Sequence, residues 1–417
     1  MFRRKERKVF IVSACRTPIG NFGGMLKDYS AIDLGAAALR GVIQKSKIDL
    51  ESCYFTFSNV FMGNVLSAGL GQNPARQAAH KAGFAWESPC VTINKVCGSG
   101  MQAVICAYDA IKSGRIDLAF VGGMESMSNA PYLSARHWTK NKKDVFIKST
   151  GDFLESDFDD KFIKGEAYYD DANITFVDSM IRDGLVDAYS GKNMIKITDE
   201  CAQRFGITRY DQDGYARLSN GRAIYATKNN LFKDEIVAID GFSEDEGIKQ
   251  FKPEKIPELK PIFEGGSVTA ANASKLSDGA AALMIASKEM VEEFEITPIA
   301  EIIDIIEYGG LPEDFPIAPS RAISQLLEQN KLISKNIELF EINEAFAMVP
   351  LIFQRIFNVS TVNINVRGGA LALGHPIGAS GARIVVTLVH ALSHEKLGIA
   401  SVCIGGGEVL ALLLKEI

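Results

Sequence analysis

The feature that most constrains the fold is a plan that occurs twice. Between Val91 and Met127 an apolar stretch, Val91-Thr92-Ile93-Asn94, leads into a small-residue turn, Cys97-Gly98-Ser99-Gly100. A segment of helical spacing follows from Met101 to Lys112, then a second apolar run, Leu118 to Val121, closed by Gly122-Gly123-Met124-Glu125. Near the C-terminus Ser380-Gly381 opens an apolar segment from Ala382 to Leu392, and the run Ala400 to Ile404 ends in Gly405-Gly406-Gly407-Glu408. Short apolar runs bounded by glycine read as buried strands, and the longer segments between them as helices. Strands alternating with helices predict an α/β protein with largely parallel sheets. The repeat predicts two duplicated halves that face each other.

Other segments extend the plan. Val9 to Ala14 reads as a strand broken by Arg16-Thr17-Pro18-Ile19-Gly20, Asp33 to Ile43 has helical spacing, and Val60-Phe61-Met62 reads as a strand ending at Gly63. From Asn129 to Pro261 the texture turns charged and aromatic, with runs such as Lys140-Asn141-Lys142-Lys143-Asp144 and Ser243-Glu244-Asp245-Glu246, and a helix is predicted over Arg209 to Asn229. This stretch reads either as an inserted region covering a site or as solvated loops. The domain division is therefore 1–128 for most of the first half, 129–261 for the insertion, 262–295 for the end of the first half and 296–417 for the second half. A chain of 417 residues exceeds one ordinary domain.

Charge and cysteine usage exclude several classes. Forty-five basic against 51 acidic residues give a formal charge of −6, the opposite of the balance a nucleic-acid binder shows. No apolar run is long enough to span a bilayer. The seven cysteines are scattered without a CxxC pair, and no secretory signal precedes them, which points to free thiols in a reducing compartment. Met1 to Lys8 is too short for a transit peptide and the terminal Lys-Glu-Ile is not a peroxisomal address. A cytoplasmic protein is expected, with a mitochondrial form as the alternative.

Four stretches can carry chemistry. Cys97 sits between a strand and a helix start, where backbone N–H groups and the helix dipole are expected to lower a thiol pKa from its usual ~8.5. An inert core cysteine is the other reading. A third, the G-x-G-x-x-A dinucleotide pattern over Gly98 to Ala103, lacks the acidic residue needed about twenty positions on. His375, one of five histidines, lies in the glycine-rich stretch Arg367 to Gly381. Cys403 precedes three glycines whose N–H groups could face an oxyanion; a core cysteine would look the same. Asn343-Glu344-Ala345-Phe346-Ala347 sets two polar residues between apolar runs, as a helix surface also would.

Taken together, the stretches around Cys97, Asn343-Glu344-Ala345-Phe346, Gly374-His375-Pro376-Ile377-Gly378-Ala379-Ser380-Gly381 and Cys403-Ile404-Gly405-Gly406-Gly407 resemble the four catalytic loops of the thiolase family, in the family's order. Val9 to Gly24, Gly63 to Ala79, Gly122 to Ser128 and Ser267 to Ala282 are similar too, the last above all to short-chain thiolases. The resemblance implies a five-layered α/β/α/β/α fold and a homodimer or homotetramer. It implies an acetyl-CoA C-acetyltransferase that joins two acetyl-CoA into acetoacetyl-CoA and CoA, or reverses this, through acetyl-Cys97. In that scheme His375 takes the Cys97 proton and Cys403 is the acid/base of the condensation. The N–H groups of Cys97 and Gly405 form one oxyanion hole; His375 and a water on Asn343 form the other. Ser274 is implied as a pantetheine contact and Phe346 as a wall of the acyl pocket.

No cofactor is required, although short-chain members can hold a potassium ion near residues resembling Tyr215, Ala270, Ala271 and Ala273. The chain departs from the family in the covering region. Trp138 to Phe176 is longer than the short-chain pattern. Asn193 stands before Met194 where a histidine is usual, and Gln250 beside Lys249 where an arginine lies under the CoA nucleotide. Rival readings are a thiolase of longer 3-ketoacyl chains, a degenerate thiolase serving as a scaffold, a ketoacyl-ACP synthase, which would need a second histidine, and a Cys–His hydrolase.

Overall fold

The two halves of one continuous sheet sandwich a pair of buried helices, and the alternation of side chains along the strands shows how. The computed structural model describes residues 7–46, 58–134, 168–169 and 175–417. On the strand Leu118–Ser126, Ala119 and Val121 pack inward with helices Ser99–Lys112 and Ile377–Val389, whereas Leu118 and Phe120 pack outward with helices Ala31–Ser46 and Pro74–Ala82. On Glu408–Glu416, Leu410, Leu412 and Leu414 join the same central core, while Val409, Ala411 and Leu413 meet helices Ala318–Gln329 and Met348–Phe357. A strand presents opposite faces at successive residues, so two outer apolar cores and a central one built around the middle helices hold five layers in the order helix, sheet, helix, sheet, helix. The expected five-layered α/β arrangement is the observed one.

The duplication is visible in the strand order. One end of the sheet runs Cys90–Ile93, Asn59–Gly63, Leu118–Ser126, Ser277–Ser287, Val9–Arg16. The other runs Leu339–Ile342, Leu397–Ile404, Glu408–Glu416, Ala300–Gly309. The halves meet where Val9 to Ile11 pair antiparallel with Ala300 to Ile302. The expectation of largely parallel sheets is corrected here. Only the pairs of Asn59–Gly63 with both its neighbours and of Leu339–Ile342 with Leu397–Ile404 are parallel; the remaining main-strand pairs are antiparallel. Gly405 to Gly407 join two consecutive strands directly, and so short a turn cannot make a parallel crossover.

Glycine also misleads at Gly122-Gly123. These residues do not close a strand; they lie inside Leu118–Ser126. A Cβ on Gly123 would stand 2.0 Å from the Gly378 carbonyl oxygen, so the missing side chain lets the start of helix Ile377–Val389 rest on the sheet. That helix begins at Ile377, five residues before the predicted start at Ala382, and Gly378, Ser380 and Gly381 are within it.

Of the inserted region, Trp138 to Phe176 lies almost wholly outside the described residues, as does the run Lys140 to Asp144. The described part holds helix Met194–Arg204 and helix Arg209–Lys228. The second starts with a reciprocal capping box between Thr208 and Asp211, a motif worth about 1 kcal/mol. Met180 and Ile181 pack in one cluster with Cys97, and Met194, Ile195 and Ile197 in another with Cys403 and Phe346. This part of the insertion therefore packs on both halves at once.

Candidate active site

Cys97 is presented by a strained turn. Val96 has φ 47°, a left-handed conformation that costs a β-branched residue about 1–2 kcal/mol. Local bonds hold it there. The Val96 N–H donates to Asn94 Oδ1 at 3.1 Å, the Lys95 N–H to Ser99 Oγ at 2.8 Å, and the Ser99 hydroxyl to the Val96 carbonyl at 2.6 Å. Helix Ser99–Lys112 begins two residues after the thiol. The turn thus delivers Cys97 to the boundary between the halves, against the loop of His375.

His375 Nε2 lies 3.3 Å from Cys97 Sγ, and Nδ1 lies 2.5 Å from Ser380 Oγ. The Ser380 hydroxyl donates its one hydrogen to the Pro376 carbonyl at 2.9 Å. It must therefore accept from Nδ1–H. That assigns the tautomer: Nε2 carries the lone pair and faces the thiol, as a general base requires.

The protonation states follow from burial. Cys97 is pushed up to about 11 by desolvation, with the Glu125 carboxyl adding to the rise, while the N–H groups of Gly405 and of Cys97 itself pull it down. The expected lowered thiol is corrected: withdrawal from water outweighs the helix terminus. Burial, together with the Arg383 charge, holds His375 down at about 3. The resting pair is consequently a neutral thiol beside a neutral imidazole. Burial and the neighbouring Cys97 raise Cys403 far above the ordinary thiol range, so its thiolate, once formed, is a strong base.

The two N–H groups that bear on the Cys97 sulfur, those of Cys97 and Gly405, are the pair expected to hold the first oxyanion. Asn343 follows strand Leu339–Ile342 and is fully buried. Its backbone N–H donates to the Ser401 carbonyl, yet both side-chain amide atoms have no hydrogen-bond partner among the described residues. A buried carboxamide with nothing to bind is costly unless a ligand or water completes it, which suits the second oxyanion site.

Several residues brace these groups. Glu344 accepts from Tyr215 Oη (3.1 Å), Ser219 Oγ (2.7 Å), Asn365 Nδ2 (2.9 Å) and the Leu371 N–H (3.1 Å), tying the Asn343 loop to the inserted region. Glu125 accepts from the N–H groups of Gly378, Val65 and Leu66 and from Asn64 Nδ2. Burial pushes its carboxyl up to about 7. Lys275 Nζ donates to the Gly247 carbonyl at 2.8 Å, burial holds the amine down at about 8, and the Lys275 carbonyl accepts the His375 N–H at 3.0 Å. Sequence reading did not assign roles to Glu125, Lys275, Ser380 or Glu344. All four lie inside stretches already singled out, Glu125 in Gly122-Gly123-Met124-Glu125 and Lys275 between Ser267 and Ala282, but only as members of a stretch.

The remaining expected residues divide. Phe346 is buried, bridges to Ala273 through the backbone and lies 6.2 Å from the Phe315 ring. The Ser274 N–H donates to the Ala345 carbonyl at 3.0 Å, so that loop abuts the Asn343 loop. Met194 Sδ would touch a Cβ on Gly405 at 3.4 Å. Asn193 Oδ1 accepts from the Ile195 N–H at 2.9 Å and caps helix Met194–Arg204. Lys249 is exposed and pairs with Glu244 at 3.2 Å, and Gln250 is exposed beside it. Tyr215 gives its hydroxyl hydrogen to Glu344 and accepts from Asn365 Nδ2 at 3.2 Å, which leaves one lone pair on its oxygen.

Comparison with known proteins bears on this geometry. The family descriptions "Thiolase, N-terminal domain" and "Thiolase, C-terminal domain" match residues 9–289 and 296–416. An acetyl-CoA acetyltransferase of Yarrowia lipolytica is 41% identical over 98% of this chain and 96% of its own. The mitochondrial acetyl-CoA acetyltransferase of Homo sapiens is 38% identical over 99% of this chain and 91% of its own. Among solved structures, Acat5 thiolase from Ascaris suum in complex with coenzyme A superposes with a TM-score of 0.88 at 40% identity, covering 98% of this chain and all of that one. Human mitochondrial 3-ketoacyl-CoA thiolase gives 0.85 at 34% identity, covering 98% and 99%.

Proposed function

This chain belongs to the thiolase family, and we propose that it is an acetyl-CoA C-acetyltransferase, an acyltransferase that joins two acetyl-CoA into acetoacetyl-CoA and CoA and runs the reverse thiolysis. The observation that carries this reading is the alignment of His375 Nε2 on Cys97 Sγ, with Cys403 close enough for the Cys97 charge to act on it and Asn343 unpartnered at the strand end.

As Cys97 attacks the thioester carbonyl, His375 Nε2 takes its proton, and the oxyanion lies against the N–H groups of Cys97 and Gly405. CoA departs as a thiolate and takes the Cys403 proton, which leaves acetyl-Cys97, an imidazolium at His375 and a thiolate at Cys403. A second acetyl-CoA binds, and the Cys403 thiolate, made basic by burial, removes a proton from its methyl group. The enolate oxygen is held by the imidazolium N–H and by Asn343 through a water. The enolate carbon attacks acetyl-Cys97; the Cys97 thiolate leaves and recovers its proton from His375. Cys403 ends protonated, as it began, so the cycle closes.

Ser274 and Lys249 are proposed as CoA contacts, and Phe346, Met194 and Asn193 as the acyl-pocket wall. Residues 129–261 form the cover. No cofactor enters the scheme. The free lone pair of Tyr215, with the backbone carbonyls of Ala270, Ala271 and Ala273, would suit a monovalent cation such as potassium, which would stiffen the Ser274 loop. A homodimer or homotetramer is proposed because Cys90–Ile93 is an edge strand with Val91 46% exposed, and such an edge invites a second copy. No helix among the described residues is long and apolar enough to cross a membrane. The cytoplasm is the proposed compartment, and the mitochondrion is the alternative.

The test is acid quenching after mixing with acetyl-CoA, followed by peptide mass analysis with Cys97→Ala in parallel. One acetyl group on Cys97, discharged by CoA and absent from the variant, with acetoacetyl-CoA formed in turnover, is the expected result. Labelling only by longer 3-ketoacyl-CoAs would refute the short-chain assignment.

A further inference from the structure

The middle helix layer holds a buried ion pair that the steps above do not use. Arg383 lies on helix Ile377–Val389, eight residues beyond His375, and is 2% exposed. Its Nη1 donates to Glu341 Oε1 at 2.9 Å. Glu341 is also buried and sits on strand Leu339–Ile342, two residues before Asn343. One ion pair therefore ties the helix that follows His375 to the strand that leads into Asn343, the two groups proposed to share the enolate oxygen. The guanidinium is not fully matched: Nε and Nη2 are buried with no hydrogen-bond partner among the described residues. A buried, incompletely compensated charge projects its field further than a solvated one.

We propose that Arg383 is a positioning residue for the condensation, fixing His375 against Asn343 through Glu341 and placing a buried positive charge whose field makes the His375 imidazolium a stronger proton donor to the enolate oxygen. The inference rests on the thiolase reading and extends it to a residue outside the reacting groups. Its electrostatic half is consistent with the Arg383 charge acting to disfavour the protonated imidazole. The other groups facing His375 are Cys97 at Nε2, Ser380 at Nδ1 and the Lys275 carbonyl at the backbone N–H. Around Glu341 stand Arg383, Glu344 and Glu235, and Glu235 is itself held by Arg16, Arg367 and Thr387. Glu341 is thus the only carboxylate paired with Arg383 among the described residues.

The test is the pH dependence of Cys97 alkylation by iodoacetamide, read at the Cys97 peptide without any CoA ester, beside kcat for condensation. The variants are Arg383→Met, Arg383→Lys and Glu341→Gln. Removing the cation makes the imidazolium–thiolate pair easier to form. Arg383→Met should therefore alkylate on the order of tenfold faster near neutral pH, while kcat for condensation falls by at least as much. Glu341→Gln strips the counter-charge of the pair, so its alkylation should slow by a similar factor. Arg383→Lys should lie near the parent in both. Opposite shifts for the two neutralising variants support the proposal. A fall of both rates together, shifts of the same sign or no shift would overturn it, and Glu341→Gln alone decides if Arg383→Met does not fold. Alkylation needs no acyl transfer, so failure of the thiolase reading would show in turnover and leave this test intact.

Discussion

Replacing Ser380 by Ala should slow acetylation of Cys97 by a factor that the structure allows to be worked out. The hydroxyl accepts from His375 Nδ1 and donates to the Pro376 carbonyl. In Ser380→Ala the Pro376 carbonyl keeps the N–H donors of Ala379 and Ser380, so it is not orphaned. Nδ1–H is orphaned. A buried donor without a partner costs about 1–3 kcal/mol, and that penalty falls only on the tautomer with hydrogen at Nδ1. The other tautomer avoids it but presents Nε2–H to the thiol and cannot take its proton. The reactive fraction, and with it the rate of acetyl-Cys97 formation, should drop about 5- to 150-fold. Alanine is a good helix former inside Ile377–Val389, so the melting temperature should hardly change. Rapid acid quench after mixing with acetyl-CoA, read as acetylated Cys97 peptide against time, measures the step. Acetylation at the parent rate by a folded Ser380→Ala would refute the tautomer assignment.

Other outcomes follow from the same site. Cys403→Ala should still acquire an acetyl group on Cys97, because a CoA thiolate departs without an acid, whereas condensation should fall by about 10²–10⁴ for loss of the base; equal loss of both half-reactions in quench and turnover assays would contradict the division of labour between the cysteines. The Glu125 carboxyl is raised from 4.5 to about 7 by burial. The folded chain therefore holds a proton that the unfolded chain releases, and stability should fall as pH rises through that interval. Glu125→Gln should flatten the dependence of melting temperature on pH between about 4.5 and 7, and a profile as steep as the parent's would show that another group governs it.

Strand and helix periodicity was legible because each depends on neighbours along the chain. The repeat around Cys97 and Cys403, the strand ending at Gly63 and the capped helix Arg209–Lys228 could all be read from spacing and small residues. Cys97, His375, Cys403 and Asn343 were recognisable because each stands in a short motif of its own. Local spacing failed where a residue answers to something distant in sequence. Gly122 and Gly123 look like strand terminators but are gaps for backbone far along the chain, that of Ala281 at Gly122 and of Gly378 at Gly123. The strands on either side of Gly405 look like parts of a parallel sheet but fold back as a hairpin.

What the sequence determined by itself was the elements around its motifs, their duplication and the candidate reacting side chains, since these rest on residue type and short-range order. Only the tertiary structure decided the charge state of those side chains. Cys97 looked activated by its helix terminus, yet burial, which no local pattern contains, raises it and lowers His375. The tautomer set by Ser380, the unpartnered amide of Asn343 and the pairing of Arg383 with Glu341 likewise arise only where two halves of one chain close on each other and exclude water.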